Sequence, residues 1–287
     1  MDFRLDRLAT LYFVSPLRRL LSDRGSSIPI LMYHSILEDD ESGVHGYYRT
    51  ATSPKAFAQQ MEQLHQAGYR TCSLAEAVAQ LGSESGIGAK SVVITFDDGY
   101  RDFYLNAFPV LSRFGQKATM FLPTAYIGES PIEFKGKECL TWAEVRELEK
   151  HGILFGSHTV THPQLATLDR RAIEKEIVDS KKAIEEKTGS VVHSFAYPYA
   201  FPQSNGEFKG MLRELLQGAG YRNGVCTMVG RAGCRSEPLF MERLPINSLD
   251  DEALLEAKLT GGYDWVSRPQ SASKALHATI QGIYRRN

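Results

Sequence analysis

Ser91-Val92-Val93-Ile94-Thr95-Phe96-Asp97-Asp98-Gly99 is the stretch that decides the fold. Its first six residues are mostly β-branched or aromatic and do not alternate with polar ones, the pattern of a strand buried on both faces in a parallel sheet. The run then stops on two carboxylates and a turn glycine. Adjacent carboxylates oppose each other's ionisation. A solvated Asp-Asp-Gly turn therefore competes with a second reading, in which a metal takes one carboxylate and leaves the other as a base tuned by the nearby cation.

Working outward, apolar runs at 28–32, 69–72, 118–122, 153–156, 194–197, 222–226 and 240–244 alternate with helical patterns. Ser53-Pro54 supplies an N-cap with proline at the first helical position, and Phe57, Met61 and Leu64 line one face until Gly68. Ser73 caps a short helix, and residues 82–88 read as a flexible loop. Thr141 to Glu144 is a capping box. Residues 169–187 carry Ile173, Ile177 and Ile184 at helical spacing and close on Gly189. Further helices are expected at 102–114, 208–219 and 250–259. About seven β/α units in succession predict an α/β fold with a parallel sheet inside and helices outside, most simply a distorted (β/α) barrel. Chemistry in such a barrel sits at the C-terminal ends of the strands.

Composition narrows the function. The 287 residues are 43% hydrophobic and 23% charged, an ordinary soluble globular balance large enough to bury a core without a structural metal. Lys and Arg total 33 against 34 Asp and Glu, a net charge of −1 that argues against a nucleic-acid partner. Cys72, Cys139, Cys226 and Cys234 lie far apart with no C-x-x-C spacing, as expected of reduced, mostly buried thiols. Within residues 1–24, Leu5, Leu8, Tyr12, Leu17, Leu20 and Leu21 interleave with Arg4, Arg7, Arg18, Arg19 and Arg24. This mildly basic amphipathic pattern suits either a helix lying on an anionic membrane surface or one packed on the domain or a partner. No signal peptide or transmembrane span is legible, so the expected location is the cytoplasm, including its membrane surface.

The strand ends concentrate the polar chemistry. Run 153–156 leads into Ser157-His158-Thr159-Val160-Thr161-His162-Pro163, with two imidazoles four residues apart, a spacing that places both on one side of a helical turn within reach of one ion. Together with Asp98, His158 and His162 form a candidate facial triad with open positions, suited to hydrolysis. The first strand ends in Met32-Tyr33-His34-Ser35, which places His34 on the same face, and another strand ends in Tyr197-Pro198-Tyr199-Ala200.

In combination, Thr95-Phe96-Asp97-Asp98-Gly99-Tyr100, Ser157-His158 with His162-Pro163, and Tyr197-Pro198-Tyr199 resemble the successive motifs of polysaccharide deacetylases, the NodB-homology group of carbohydrate esterases (family 4). The resemblance covers about residues 28–246 and implies the distorted barrel. It also implies a divalent metal, usually Zn2+ with Co2+, Ni2+ or Fe2+ as alternatives, held by Asp98, His158 and His162. Asp97 would be the general base, the Tyr199 backbone N–H an oxyanion donor, and Tyr197, Pro198 and Tyr199 the substrate-lining segment. The chain departs from the pattern in three places: no late L-x-x-H histidine follows Glu242-Arg243-Leu244, Ala196 stands where many members have a base-orienting arginine, and Ala200 replaces a common glycine. Met32-Tyr33-His34-Ser35 is similar to the Y-H motif of exopolysaccharide and poly-N-acetylglucosamine deacetylases, so His34 is the expected general acid, and Arg243 the expected substitute for the arginine.

The resulting expectation is one catalytic domain over 26–287 behind an N-terminal segment over 1–25. Its activity would remove acetyl groups from N-acetylated sugars of a bacterial polysaccharide or its lipid-linked precursor. A glycan-binding pseudoenzyme and a metal-dependent phosphoesterase are the rival readings. The connection 123–140 is long enough for a lid or glycan-contact loop, with a structural insertion as the alternative. Tyr47, Tyr48 and Tyr126 suit sugar stacking or domain packing.

Overall fold

A computed structural model describes residues 4–20, 27–38, 41, 43–83, 90–267 and 270. Seven parallel strands, β1 (Ile30–Tyr33), β2 (Ser91–Phe96), β3 (Thr119–Leu122), β4 (Leu154–Ser157), β5 (Ser194–Ala196), β6 (Asn223–Val229) and β7 (Met241–Pro245), pair in the order β1-β7-β6-β5-β4-β3-β2. Pairing of β1 with β2 through Ile30 to Val93 and Tyr33 to Phe96 closes the ring. The expected barrel is therefore present. Run 69–72 is the exception: it contributes only Arg70–Thr71, which pairs with Ser91 and Val92 outside the ring.

Alternation along each strand divides the core in two. Leu31, Tyr33, Val92, Ile94, Phe96, Met120, Leu122, Phe195 and Leu244 pack outward in one cluster with the helices. Ile30, Val93, Phe121, Ala196, Val225 and Met241 form a second cluster inside the ring. Ile28, Cys72, Leu74 and Ala77 join this inner cluster from the end where β1 and β2 begin. That end is filled with apolar side chains. Polar side chains are left to the other end.

The helices form where capping and periodicity place them. Ser53 accepts from the Ala56 N–H and opens Pro54–Gln66, which buries Phe57, Met61 and Leu64. Ser73 with Glu76, and Thr141 with Glu144, make full capping boxes. Arg170–Thr188 ends at Gly189 with φ 79°, a left-handed cap suited to glycine. Residues 103–107 are wound as a π-helix before Phe108–Arg113, because Pro109 removes a backbone donor inside the expected 102–114 helix. Part of the 82–88 loop lies outside the described residues. No helix among the described residues is long and apolar enough to cross a membrane. The N-terminal helical segment 5–20 packs one face on the domain, with Arg4 in contact with Asp250. Cys72, Cys139 and Cys226 are buried thiols, and Cys234 is exposed.

Gly156 marks the tightest point of the barrel wall. A Cβ there would lie 2.6 Å from the Phe121 ring and 2.8 Å from the Ser194 carbonyl oxygen, and neither a core ring nor a strand backbone can retreat freely. Gly156→Ala is expected to cost about 1–3 kcal/mol of stability. Urea unfolding measures it, and an unchanged midpoint would show that the wall has slack at this position.

Candidate active site

β2 delivers Asp97 to the barrel axis. Its backbone N–H donates to the Tyr33 carbonyl at 3.0 Å, continuing the β1–β2 ladder one residue past the strand. Interior alternation, Val93 then Thr95 then Asp97, aims the carboxylate inward. Across the ring, β7 sends Arg243 to meet it, with Nη1 2.7 Å from Oδ1 and Nη2 2.7 Å from Oδ2. Arg243 also donates from Nε to the Cys226 carbonyl at 3.1 Å and from Nη1 to Thr95 Oγ1 at 3.2 Å. The arginine is 0% and the aspartate 2% exposed. Burial alone would raise the Asp97 carboxyl, but the guanidinium outweighs it and holds the group below the usual carboxylate range. The geometry pairs Arg243 with Asp97, and Ala196, small and interior, sits in the same inner cluster.

Asp98 takes the opposite direction. Its φ of 71° is left-handed, so two consecutive carboxylates leave the strand on divergent paths. Asp98 Oδ1 lies 3.1 Å from His162 Nε2 and 3.6 Å from His158 Nε2. One donor atom from each of the three buried residues falls within 4.8 Å of the others, and the spacing suits a shared cation. Asp98 Oδ1 and His162 Nδ1 are buried without a hydrogen-bond partner among the described residues. Orphaned polar atoms of this kind call for a ligand. His158 Nδ1 contacts the Ala196 carbonyl at 2.8 Å, a contact that fixes the proton there and turns the Nε2 lone pair toward Asp98. Burial pushes His158 down to about 4 and also lowers His34, so both imidazoles are neutral near pH 7.

The two histidines converge, though not by the expected helical turn. Residues 158–163 form an irregular loop in which Thr159 has φ 71° and His162 φ 55°. Helical geometry is excluded because the loop's backbone donors are taken by side chains. Glu176 accepts from the N–H groups of Val160 at 2.7 Å and Thr161 at 2.9 Å, and Thr159 Oγ1 accepts from the His162 N–H at 3.1 Å. Glu176 went unnoticed in the sequence, where an acidic residue on a helix surface carries no distinguishing mark.

His34 follows β1, with Nε2 3.9 Å from Asp97 Oδ2. Asp102 holds the segment behind it, accepting from the Ile36 N–H at 3.0 Å and from the Ser35 hydroxyl. Tyr199 stands at the mouth, 48% exposed with φ 58°, its ring 4.6 Å from that of His162. Tyr197 and Pro198, expected beside it, are buried. The Tyr197 ring packs on Phe201 at 4.8 Å and on Phe208, because strand alternation turns it outward toward the helix Gly206–Gly218. Its side chain is core, which corrects the expectation of a substrate-lining tyrosine. The 123–140 connection supplies a residue that sequence reasoning passed over. Its hairpin Glu133–Phe134 with Lys137–Glu138 carries Lys135 at φ 51°, placing Nζ 3.4 Å from Asp98 Oδ2 and over the Phe134 and Tyr199 rings. A Lys-Gly turn next to an aromatic residue was the available signal. Tyr126 stacks on Phe134 at 4.2 Å and so packs against this hairpin.

A family profile described as "Polysaccharide deacetylase" matches residues 85–223. YxkH of Bacillus subtilis (strain 168), itself assigned only provisionally as a polysaccharide deacetylase, is 33% identical over 211 residues, covering 74% of this chain and 68% of that protein. The poly-beta-1,6-N-acetyl-D-glucosamine N-deacetylase of Escherichia coli (strain K12) is 29% identical over 139 residues, which is 45% of this chain and 20% of that protein. Among solved structures, the Streptococcus pyogenes deacetylase PplD, in complex with acetate, superposes with a TM-score of 0.71 at 28% identity over 82% of this chain and 99% of that one. Shared architecture, shared motif positions and the extent of the YxkH match lead to one conclusion: this chain belongs to the polysaccharide deacetylase family.

Proposed function

We propose that the chain is a divalent-metal-dependent N-deacetylase acting on N-acetylated sugars of a bacterial polysaccharide or its lipid-linked precursor, with residues 26–287 as the catalytic unit. The observation that carries this reading is the meeting, at one end of the barrel, of a guanidinium-locked carboxylate with a second carboxylate and two imidazoles whose donor atoms lie within 4.8 Å of one another. Asp98, His158 and His162 would hold the metal. One oxygen and two nitrogen donors fit Zn2+, and also Co2+, Ni2+ or Fe2+. Bound there, such an ion would polarise the acetamide carbonyl and acidify a water.

The chain's own groups supply the proton traffic. Asp97, kept ionised by Arg243, accepts the proton of the attacking water. His34, neutral at rest and 3.9 Å from Asp97 Oδ2, takes up the proton that Asp97 has accepted from the water and passes it to the departing sugar amine as the C–N bond breaks. Arg243 positions rather than reacts, since its Nη1 and Nη2 hold both Asp97 oxygens. The Tyr199 backbone N–H is the proposed oxyanion donor. The matches to a poly-beta-1,6-N-acetyl-D-glucosamine N-deacetylase and to an acetate-bound deacetylase support an N-acetylated glycan substrate.

Zinc-loaded protein is expected to release acetate from N-acetylglucosamine oligomers, and Asp97→Asn to abolish release while retaining metal. His158→Ala should lose the metal itself, as read by elemental analysis of the dialysed protein. Oligosaccharide binding without acetate release would select the pseudoenzyme instead. His34→Ala is expected to lower kcat about 100-fold or more with metal content unchanged; near-normal turnover would remove His34 from the mechanism. Arg243→Met leaves a buried carboxylate unpaired and is expected to cost about 3–5 kcal/mol at neutral pH. The wild-type Asp97 carboxyl is depressed, so its stabilisation is present above the ordinary carboxylate range and fades as pH falls. In the variant the carboxyl is raised, and protonation on acidification relieves its penalty. Denaturant unfolding should therefore show the gap narrowing toward low pH, and a pH-independent gap would contradict this account.

A further inference from the structure

Every exposed residue in the first fourteen described positions is apolar: Leu5, Tyr12, Phe13, Pro16 and Leu17. Leu5, Tyr12, Phe13 and Leu17 are 69%, 69%, 74% and 60% exposed, while Arg4, Thr10 and Ser15 are buried. The amphipathic segment thus docks on the barrel with its polar side inward. That orientation is enforced. Arg4 meets Asp6 at 2.5 Å and Asp250 at 3.2 Å, and the Tyr263 hydroxyl donates to Asp6 at 2.6 Å. Lys258 donates to both Asp250 oxygens at 2.8 Å. Arg7 pairs with Asp251, and Trp265 Nε1 donates to Thr10 Oγ1 at 3.0 Å. Rolling the helix to bury its apolar strip would break this network of buried ions, so the strip faces out by construction.

A strip of leucine and aromatic side chains on a globular surface marks an interaction site. A second copy of the chain is a poor occupant. A stable interface takes about 20–30 residues a side, and this strip offers five. The sequence that follows it carries Arg18, Arg19 and Arg24, and two copies would bring these like charges together. An anionic lipid surface accepts both features, with the apolar side chains at the headgroup boundary and the arginines among lipid phosphates.

We propose that the N-terminal helical segment is an interfacial anchor that seats Leu5, Tyr12, Phe13, Pro16 and Leu17 in an anionic bilayer. The helix begins beside Asp250, just past β7 at the catalytic end, and runs to Gly262, whose Cα faces Ser15. The anchor stands independently of the deacetylase reading.

Co-sedimentation of the full chain with phosphatidylcholine vesicles, with and without phosphatidylglycerol, tests it. The protein is expected to pellet with the anionic vesicles, less so at high salt. The double variant Phe13→Asp with Leu17→Asp is expected to lower the partition about tenfold or more, with the unfolding midpoint unchanged because both side chains are already in solvent. Equal pelleting of variant and wild type overturns the proposal. So does absence of pelleting, the outcome if residues 271–287 or a second copy cover the strip, a dimer split by the double variant in ultracentrifugation being the sign of the latter.

Discussion

The Arg243–Asp97 pair is the interaction on which the arrangement of the mouth depends. Two ions with essentially no exposure would be costly to desolvate if a polar atom of either were left without a partner. Here both Asp97 oxygens are taken, and Arg243 also reaches the Cys226 carbonyl and Thr95 Oγ1. These partners lie on β2, β6 and β7, so the pair ties the wall together across the ring. The strand pairing that closes the barrel brings the carboxylate and the guanidinium to the same depth. The ion pair in turn fills an interior that apolar residues fill at the other end.

Around that pair the backbone departs from the usual regions. Asp98, Lys135, Thr159, His162 and Tyr199 are the non-glycine residues with positive φ among the described residues, and all five border the site. Each such residue costs of order 1–3 kcal/mol when the surroundings do not favour it, yet none lies in a strand or helix of the scaffold. The surroundings that hold them are visible: Glu176 accepting from the 160–161 amides, Thr159 accepting from the His162 amide, and the hairpin pairing either side of Lys135. Positive φ concentrated here is what lets four segments, those after β2, β4 and β5 and the Lys135 hairpin, aim side chains at one point.

Much of this was legible in the sequence because periodicity and capping are local. Seven buried runs, the Ser53, Ser73 and Thr141 caps and the Gly189 stop reappear as strands and helices. Asp98, His158 and His162 were legible too, since each follows a strand and the barrel rule collects strand ends. The helical turn expected for His158 and His162 was not, because i, i+4 spacing is compatible with a loop whose hydrogen bonds come from a distant Glu176. Tyr197 misled for a related reason: its neighbours in sequence reach the mouth, but a period of two sends adjacent side chains to opposite faces. Lys135, Asp102 and Glu176 act across tens of residues and left only faint local marks.

Charge accounting explains why two adjacent acids can share this strand end. Asp97 points inward and is neutralised by Arg243, so it makes no demand on anything entering the mouth. Asp98, turned away by its left-handed φ, meets the His158 imidazole, which burial keeps neutral, the His162 imidazole, and one partly exposed lysine at 3.4 Å. Lys135, whose Nζ lies 3.4 Å from Asp98 Oδ2, is a cationic partner of that carboxylate. It rests over the Phe134 and Tyr199 rings as well. A cation arriving among Asp98, His158 and His162 would compete with the ammonium for the same carboxylate, and the aromatic pair offers the displaced lysine a place at the mouth. The backbone flip at Asp98 therefore separates one carboxylate compensated inside the barrel by Arg243 from one whose cationic partner lies at the mouth.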